Sequence, residues 1–179
     1  FIGAAMRETK QIRMGPAPIC LNQHHPAHVA NRLIFLDHLS KGRLNLCFGT
    51  GAVTTDMELY GVDPKNNSEM VAESLDMILQ LWATDPPVDI KGKYWNISIR
   101  KNIQEEIGLG VIHKPFQKPH PPIALPITSW NSSTAKLAGK RGFQPFAHCL
   151  IPGNIVKNIW ETYETAAYEA GHYPDRSDF

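Results

Sequence analysis

Hydroxyl side chains are concentrated in the short segment "TSWNSSTAK", where five of the seven residues from Thr128 to Thr134 are serine or threonine. The segment follows an apolar run and precedes a helical pattern, so the free N–H groups of a helix N-terminus lie beside the hydroxyls. Hydroxyl donors, free N–H groups and the positive end of a helix can together hold a phosphate without a lysine. A simple helix cap is the alternative, but it needs only one of these hydroxyls. We therefore predict a phosphate site that includes Ser129, Ser132 and Ser133.

A second candidate for ligand binding is the tripeptide Gly49-Thr50-Gly51, which follows the alternating segment "RLNLCF". Glycine is disfavoured in strands, so two glycines at a strand end indicate either a tight turn or a backbone that approaches a ligand closely. In parallel α/β folds the carboxyl ends of the strands form the ligand-binding edge. A dinucleotide fingerprint would need glycine in place of Thr54 and a helix that starts at once. The next helical pattern begins only near Ser68, so the turn and the ligand loop are the two alternatives.

Three histidines in "HHPAH" raise the question of a metal site. Pro26 is typical of a first helical residue, so His24, His25 and His28 need not converge. No cysteine or carboxylate stands at ligand spacing nearby, and we predict no metal site. We expect His24 and His25 to line a pocket at the ligand edge as proton carriers or hydrogen-bond donors, with an exposed, inert pair as the alternative.

The composition of the chain is that of an ordinary globular domain, with 179 residues of which 42% are hydrophobic and 20% charged. A net charge of +1 gives no attraction to nucleic acid or to an anionic membrane, and no apolar run is long enough to span a bilayer. The three cysteines are far apart, which predicts a reducing, cytoplasmic compartment. The ends "FIGAAMRETK" and "YPDRSDF" lead us to expect an internal piece of a longer protein.

Apolar periodicity predicts a strand followed by a helix four times along the chain. The predicted strands are residues 11–21, 43–48, 123–128 and 143–151, and the predicted helices start near residues 26, 68, 133 and 154. A hairpin over residues 88–97 and a loop over residues 52–67 interrupt this order, and residues 114–123 are expected to be extended. The order favours a parallel sheet covered by helices, either doubly wound or part of an eight-fold barrel. A whole barrel needs about 250 residues, so the chain would supply about half of one.

The segment "HPAHVANRLIFLDHLSKGRLNLCFGTG" resembles the bacterial luciferase-like, flavin-dependent monooxygenase family. That family shows a similar His-Pro helix start, then Leu-Asp, Ser-Lys-Gly-Arg or a close variant, an alternating strand and a Gly-x-Gly end. The similarity continues in "YGVDPKNNSEMVAESLDMI", "PFQKPHPPIALPIT" and "AKLAGKRG", so it covers nearly the whole chain. The tract "KPFQKPHPPI" is more similar to the limonene-monooxygenase branch than to the light-emitting enzymes.

The resemblance implies an α/β fold, a partial (β/α)8 TIM barrel of about four βα units that forms one domain over residues 1–179. The N-terminal strands and the C-terminal end of the barrel would lie outside this chain, and the catalytic residues would precede Phe1. It also implies reduced FMN from a separate flavin reductase, dioxygen, a small apolar organic substrate and a homodimer of the whole protein. Gly49, Thr50 and Gly51 would border the flavin phosphate, with Ser129 and Ser132 as the second half of that site.

Departures from the family leave alternatives open. The light-emitting members carry an arginine where Thr50 stands and a reactive cysteine where Gly49 stands, and we do not transfer the thiol role to Cys47. A deazaflavin-dependent enzyme that transfers a hydride would have the same fold, as would a non-catalytic FMN-binding protein. The isolated chain is expected to be inactive and to be unstable or self-associating, because half a barrel leaves two open sheet edges.

Overall fold

Helices and strands alternate along residues 1–178, the part of the chain that the computed structural model describes. The helices are α1 (Ile2–Glu8), α2 (Pro26–Ser40), α3 (Thr54–Leu59), α4 (Asn67–Ala83), α5 (Ser133–Arg141) and α6 (Gly153–Glu169). The strands are β1 (Ile19–Cys20), β2 (Leu46–Gly49), β3 (Val88–Lys91), β4 (Asn96–Ile99), β5 (Ile123–Pro126) and β6 (Gln144–Phe146). None of these described helices has the length and apolarity needed to cross a bilayer.

Four strands form one parallel sheet in the order β1-β2-β5-β6. Cys20 pairs with Gly49, Leu46 pairs with Ile123, and β5 pairs in parallel with β6. The strands β3 and β4 form a separate antiparallel hairpin between α4 and β5. The predicted parallel sheet and inserted hairpin are therefore confirmed. Because all four strands run the same way, their carboxyl ends lie at one edge of the sheet.

The two faces of the sheet differ in burial because successive side chains of a strand point to opposite faces. The side chains on the helix-covered face are almost completely buried, with only 1% to 3% of their surface exposed. They are Leu46, Phe48, Ile123 and Leu125. The opposite face carries smaller residues, and two of them, Ala124 and Pro126, are only half-buried. Burial of each large apolar side chain stabilises the fold by roughly 1.5–3 kcal/mol, so the packing of helices against one face holds the sheet.

Helix α2 begins and ends where its sequence predicts. Pro26 is its first residue, and the ring Nδ1 of His25 accepts a hydrogen bond of 3.3 Å from the N–H of Ala27. Lys41 and Gly42 follow the helix with φ values of 53° and 83°, the left-handed conformation that stops a helix. The helix thus connects β1 to β2 and packs against α4.

Short elements differ from the prediction. Residues 52–67, predicted as a loop, contain α3 and one turn of 3-10 helix at Pro64–Asn66. Only Met57 of α3 is buried, so α3 has no apolar period that the sequence could reveal. The helix α4 begins at Asn67, one residue before the predicted start, and its N-cap residue Asn66 makes no side-chain cap hydrogen bond. The first predicted strand is reduced to β1 and one isolated bridge.

Helix α1 was not predicted, because long-range hydrogen bonds hold the segment that contains it. The guanidinium of Arg43 donates to the carbonyl of Met6 at 3.0 Å, to the hydroxyl of Thr9 at 3.1 Å and to the carbonyl of Ile12 at 3.1 Å. No local sequence pattern indicates contacts between residues so far apart in sequence.

The extended tract before β5 is held by a buried carboxylate. Asp37 is fully buried, and its two oxygens accept hydrogen bonds from the backbone N–H and the side-chain Nε2 of Gln117, at 2.9 and 2.8 Å. The same Nε2 donates to the carbonyl of Leu44 at 2.8 Å. These bonds tie α2 and the segment before β2 to the tract, and so set where β5 enters the sheet.

A second carboxylate holds the hairpin to α4. The side chain of Glu73 accepts hydrogen bonds from the backbone N–H groups of Lys93, Tyr94 and Trp95, at 2.7, 2.9 and 3.0 Å. Gly92 lies so close that a Cβ atom there would be 2.3 Å from Glu73 Oε1. The hairpin turn is therefore built around this carboxylate.

We expect Glu73→Ala to destabilise the whole protein by about 2 kcal/mol, because the variant leaves three backbone donors of a tight turn without an acceptor. Urea unfolding measures the loss, and hydrogen exchange should show faster exchange at the amides of residues 93–95. The matched control is Gln80→Ala, an exposed change on the same helix. Unchanged hydrogen exchange at the three amides would contradict the conclusion that the Glu73 carboxylate holds the hairpin turn.

Candidate functional site

The predicted phosphate residues lie around one cleft. The ends of β2 and β5 and the N-terminal parts of α4 and α5 enclose a volume of about 550 Å³. The lining residues include Gly49, Thr50, Ser129, Ser132 and Ser133. The structure therefore brings together two segments that are far apart in sequence.

The sheet register explains this convergence. Leu46 pairs with Ile123, so the residues that follow β2 and β5 leave the sheet side by side. Gly49 and Thr50 then border the floor of the cleft, and the segment after β5 crosses it to reach α5. The floor itself is apolar, because Phe48 and Leu125 project from the helix-covered face of the sheet.

Ser132 is the best-fixed hydroxyl of the cleft. Only 8% of its surface is exposed, and its Oγ caps α5 by accepting hydrogen bonds from the N–H groups of Thr134 and Ala135, at 3.1 and 3.4 Å. A hydroxyl that accepts in this way still has its own proton to donate. Ser132 can therefore cap the helix and donate to an anion at the same time.

The cleft is electrically neutral apart from the helix dipole. The residues that line it, among those the structure describes, include no Asp, Glu, Lys or Arg. Hydroxyls of Ser129 and Ser133 and the N-terminus of α5 supply donors, and no carboxylate is among the described lining residues. The Thr50 hydroxyl donates to the carbonyl of Gly51 at 3.1 Å, so Thr50 borders the cleft without a free hydroxyl proton. This donor set fits a phosphate group that is held by hydrogen bonds rather than by a paired cation.

The two glycines at the end of β2 are required by the packing of the protein itself. A Cβ atom on Gly49 would lie 2.9 Å from Pro126 Cγ and 3.2 Å from Pro18 Cβ. Gly51 has a φ of 74°, and a Cβ atom there would lie 2.8 Å from Cys20 Sγ. Gly49 also lines the cleft, whereas Gly51 lies against Cys20 and is not among the described lining residues. The turn alternative thus accounts for Gly51, while Gly49 serves both strand packing and the cleft.

The histidines lie elsewhere. His24 and His25 line a separate cavity of about 440 Å³, together with His28 and Arg32, and not the cleft of the hydroxyls. His25 is engaged in capping α2. Burial, with smaller contributions from Arg32 and His28, lowers the pKa of His24, which favours the neutral ring. This cavity does not coincide with the predicted phosphate site, because the two lie beside different strands. In the described part of the chain no three His, Cys, Asp or Glu side chains are grouped as metal ligands.

Comparison with known proteins places this architecture. The family model described as luciferase-like monooxygenase matches residues 1–179. The chain belongs to this family. It is 33% identical to 3,6-diketocamphane 1,6-monooxygenase of Pseudomonas putida over 99% of this chain and 51% of that protein. It is 29% identical to limonene 1,2-monooxygenase of Rhodococcus erythropolis over 100% of this chain and 44% of that protein.

A solved relative shows the same fold with a bound flavin. The oxygenating constituent of the Pseudomonas putida 3,6-diketocamphane monooxygenase, a type II Baeyer-Villiger monooxygenase in complex with FMN, superposes with a TM-score of 0.86 at 34% identity. The match covers 99% of this chain and 49% of that chain. The luciferase-like chain therefore spans about half the length of these relatives, and its sheet is part of a (β/α)8 TIM barrel. The doubly wound alternative is thereby excluded.

The thiol of Cys47 is buried and is not among the described residues that line the cleft of this luciferase-like chain. Cys47 is buried on the face of the sheet shared with Gly49, and burial raises its pKa to about 11. Burial also raises the pKa of Cys20, with a smaller contribution from Asp56. A thiol in this state is not a nucleophile at neutral pH, so nothing at Cys47 replaces the reactive cysteine of the light-emitting members.

Sequence reasoning missed one wall of the cleft. Ser68, Val71, Ala72 and Leu75 of α4 line it opposite the hydroxyl segment. The sequence shows that Ser68 lies near the start of a helix, but only the order of the strands in the sheet brings that helix start beside α5.

We expect Cys47 to resist alkylation in the native whole protein. At pH 8 a thiol with a pKa near 11 is ionised to about one part in a thousand, and burial excludes the reagent as well. Iodoacetamide followed by mass spectrometry should label the exposed Cys149 and leave Cys47 free. Labelling in denaturant, where all three thiols should react, is the control. Equal labelling of Cys47 and Cys149 in the native protein would be inconsistent with this burial.

Proposed function

We propose that the whole protein is a flavin-dependent monooxygenase that uses reduced FMN and dioxygen on a small apolar organic substrate. The observation that carries this proposal is a neutral, donor-rich cleft at the carboxyl edge of a luciferase-like sheet. The FMN complex of a relative with 34% identity supports the choice of cofactor. The diketocamphane and limonene of the relatives' names are small and largely apolar, which supports the substrate class.

In this proposal the chain binds the phosphate end of FMN. Ser132 donates its hydroxyl proton while it caps α5, and the hydroxyls of Ser129 and Ser133 complete the donor set. Thr50 borders the phosphate, but it donates only if its hydroxyl turns away from the carbonyl of Gly51. The α5 N-terminus adds the attraction of its dipole, equivalent to about half a positive charge. Reduced FMN, when bound, supplies the electrons that allow dioxygen to oxygenate the substrate. We assign no catalytic residue within this chain.

The proposal includes two partners and a compartment. A separate reductase supplies reduced FMN, which is supported by the description of the solved relative as an oxygenating constituent. The whole protein is proposed to be a homodimer, as the family resemblance implies. The cytoplasm is proposed because the three cysteines are free and no disulfide links them.

A deazaflavin-dependent enzyme remains the alternative against which the cofactor is tested. An F420-dependent secondary alcohol dehydrogenase superposes with a TM-score of 0.77 at 23% identity, which is a likeness of fold alone. A non-catalytic FMN-binding protein is the other alternative.

The test is an anaerobic titration of the whole protein with reduced FMN and, separately, with reduced deazaflavin, followed by a pulse of dioxygen. We expect saturable binding of FMN and, with an acceptable substrate, oxygen uptake matched by an oxygenated product. Binding of deazaflavin alone, without an oxygen-dependent change in absorbance, would replace the proposal by hydride transfer. FMN binding without turnover of any apolar substrate would favour the non-catalytic alternative.

The phosphate assignment has its own test in Ser133→Ala. Ser133 is exposed at the first position of α5, so its loss should not affect folding. We expect the Kd for FMN to rise at least about tenfold, since one hydrogen bond to a charged group is removed, while the Kd for riboflavin stays unchanged. Ser98→Ala, an exposed change on the hairpin, is the control and should alter neither value. If the Kd for FMN is the same in Ser133→Ala as in Ser98→Ala, Ser133 is not part of the phosphate site.

A further inference from the structure

The loop that carries the cleft hydroxyls is attached to a helix outside the cleft. The backbone N–H of Asn131 donates to Asn158 Oδ1 at 2.8 Å, and Asn158 Nδ2 donates to Asn131 Oδ1 at 3.3 Å. Asn158 belongs to α6 and is not among the residues that line the cleft. The two amides therefore form a reciprocal pair between the loop and α6.

This pair holds a segment that has little other packing. Residues 128–131 are exposed, and Trp130 alone exposes 54% of its surface. The segment connects the buried Ile127 to the buried Ser132, so its two ends are fixed while its middle is not. The Asn131–Asn158 pair therefore supplies a fixed point between Ser129 and Ser132.

Asn131 also has an unusual backbone. Its φ is 49°, in the left-handed region that non-glycine residues rarely occupy and that asparagine tolerates better than most. This conformation directs the chain from Ser129 into the cap residue Ser132. A change in Asn131 would therefore alter the path of the backbone between Ser129 and Ser132.

The helix that provides Asn158 is itself held firmly against α5. A Cβ atom on Gly139 would lie 2.4 Å from the carbonyl oxygen of Tyr163 and 2.8 Å from the N of Ala167, so the two helices are in close contact. Ile159, the neighbour of Asn158, is fully buried. Asn158 thus acts from a rigid position.

We propose that Asn158 is a positioning residue for the phosphate cleft, which it serves by holding Asn131 and thereby the hydroxyl of Ser129 and the backbone that leads into Ser132. This inference rests on the proposed binding of the FMN phosphate. Neutral donors hold an anion only when their directions are correct, because hydrogen bonds weaken steeply with misalignment. Loss of the amide pair should therefore reduce the preference for a phosphorylated flavin and leave contacts to the rest of the flavin intact.

The experiment compares FMN with riboflavin, which lacks the phosphate, in the whole protein. For Asn158→Ala we expect the Kd for FMN to rise about tenfold and the Kd for riboflavin to change less than about twofold. The matched control is Asn154→Ala, which removes an exposed asparagine one turn earlier on α6 and should change neither value. Flavin fluorescence titration measures both constants.

A milder second variant covers the case in which Asn158→Ala does not fold. Asn131→Gly permits the left-handed backbone and keeps the 2.8 Å bond, but removes the 3.3 Å bond. We expect it to lower the preference for FMN over riboflavin about threefold. If Asn158→Ala does not fold, an unchanged preference of Asn131→Gly for FMN over riboflavin would overturn the inference.

The outcomes separate this inference from the proposed function. If the wild-type protein shows no preference for FMN over riboflavin, the cleft is not a phosphate site, and the inference is overturned with it. A wild-type preference that survives in Asn158→Ala would overturn the inference and leave the proposed function standing. An equal weakening of both flavins in Asn158→Ala would show a purely structural role and would also overturn it.

Discussion

The parallel register between β2 and β5 is the constraint on which the rest of the structure depends. Leu46 lies opposite Ile123, and both side chains are buried on the helix-covered face. A slip of one residue would turn the apolar set of a strand to the other face and expose it, so burial fixes the register strongly. That register, together with the strand order, decides which loops meet at the carboxyl edge, and it is the reason that Gly49 lies near Pro126.

The same register requires small residues where the strands approach each other. Pro18, Gly49 and Pro126 occupy the face opposite the helices, and Gly49 leaves no room for even a methyl group. A larger residue at Gly49 would displace either β1 or β5, and with β5 the segment that leads to Ser132. Strand packing in the sheet therefore requires Gly49 whether or not a ligand binds, and the shape of the cleft follows from that packing.

The long elements and the hydroxyl segment could be predicted from the sequence because their signals are local. The apolar period of α4, the proline and glycine that bound α2, and the capping serine of α5 each act within one element. The helix α1 and the clamp of Glu73 on the hairpin could not be predicted, because each depends on hydrogen bonds between distant segments. The separation of His24 from the hydroxyl cleft could not be predicted either, since residue type does not reveal which cavity a strand end borders.

A cleft whose described lining includes neither lysine nor arginine demands more of its scaffold than a charged one does. Attraction between charges falls slowly with distance, so a cation tolerates errors of position, whereas a hydroxyl or an N–H group must point at the anion. The scaffold that aims these donors here extends beyond the cleft: Ser132 is aimed by α5, α5 by its contact with α6, and the loop before it by Asn158. Precision in a neutral site thus comes from neighbouring helices, and residues remote from the ligand acquire influence over its binding.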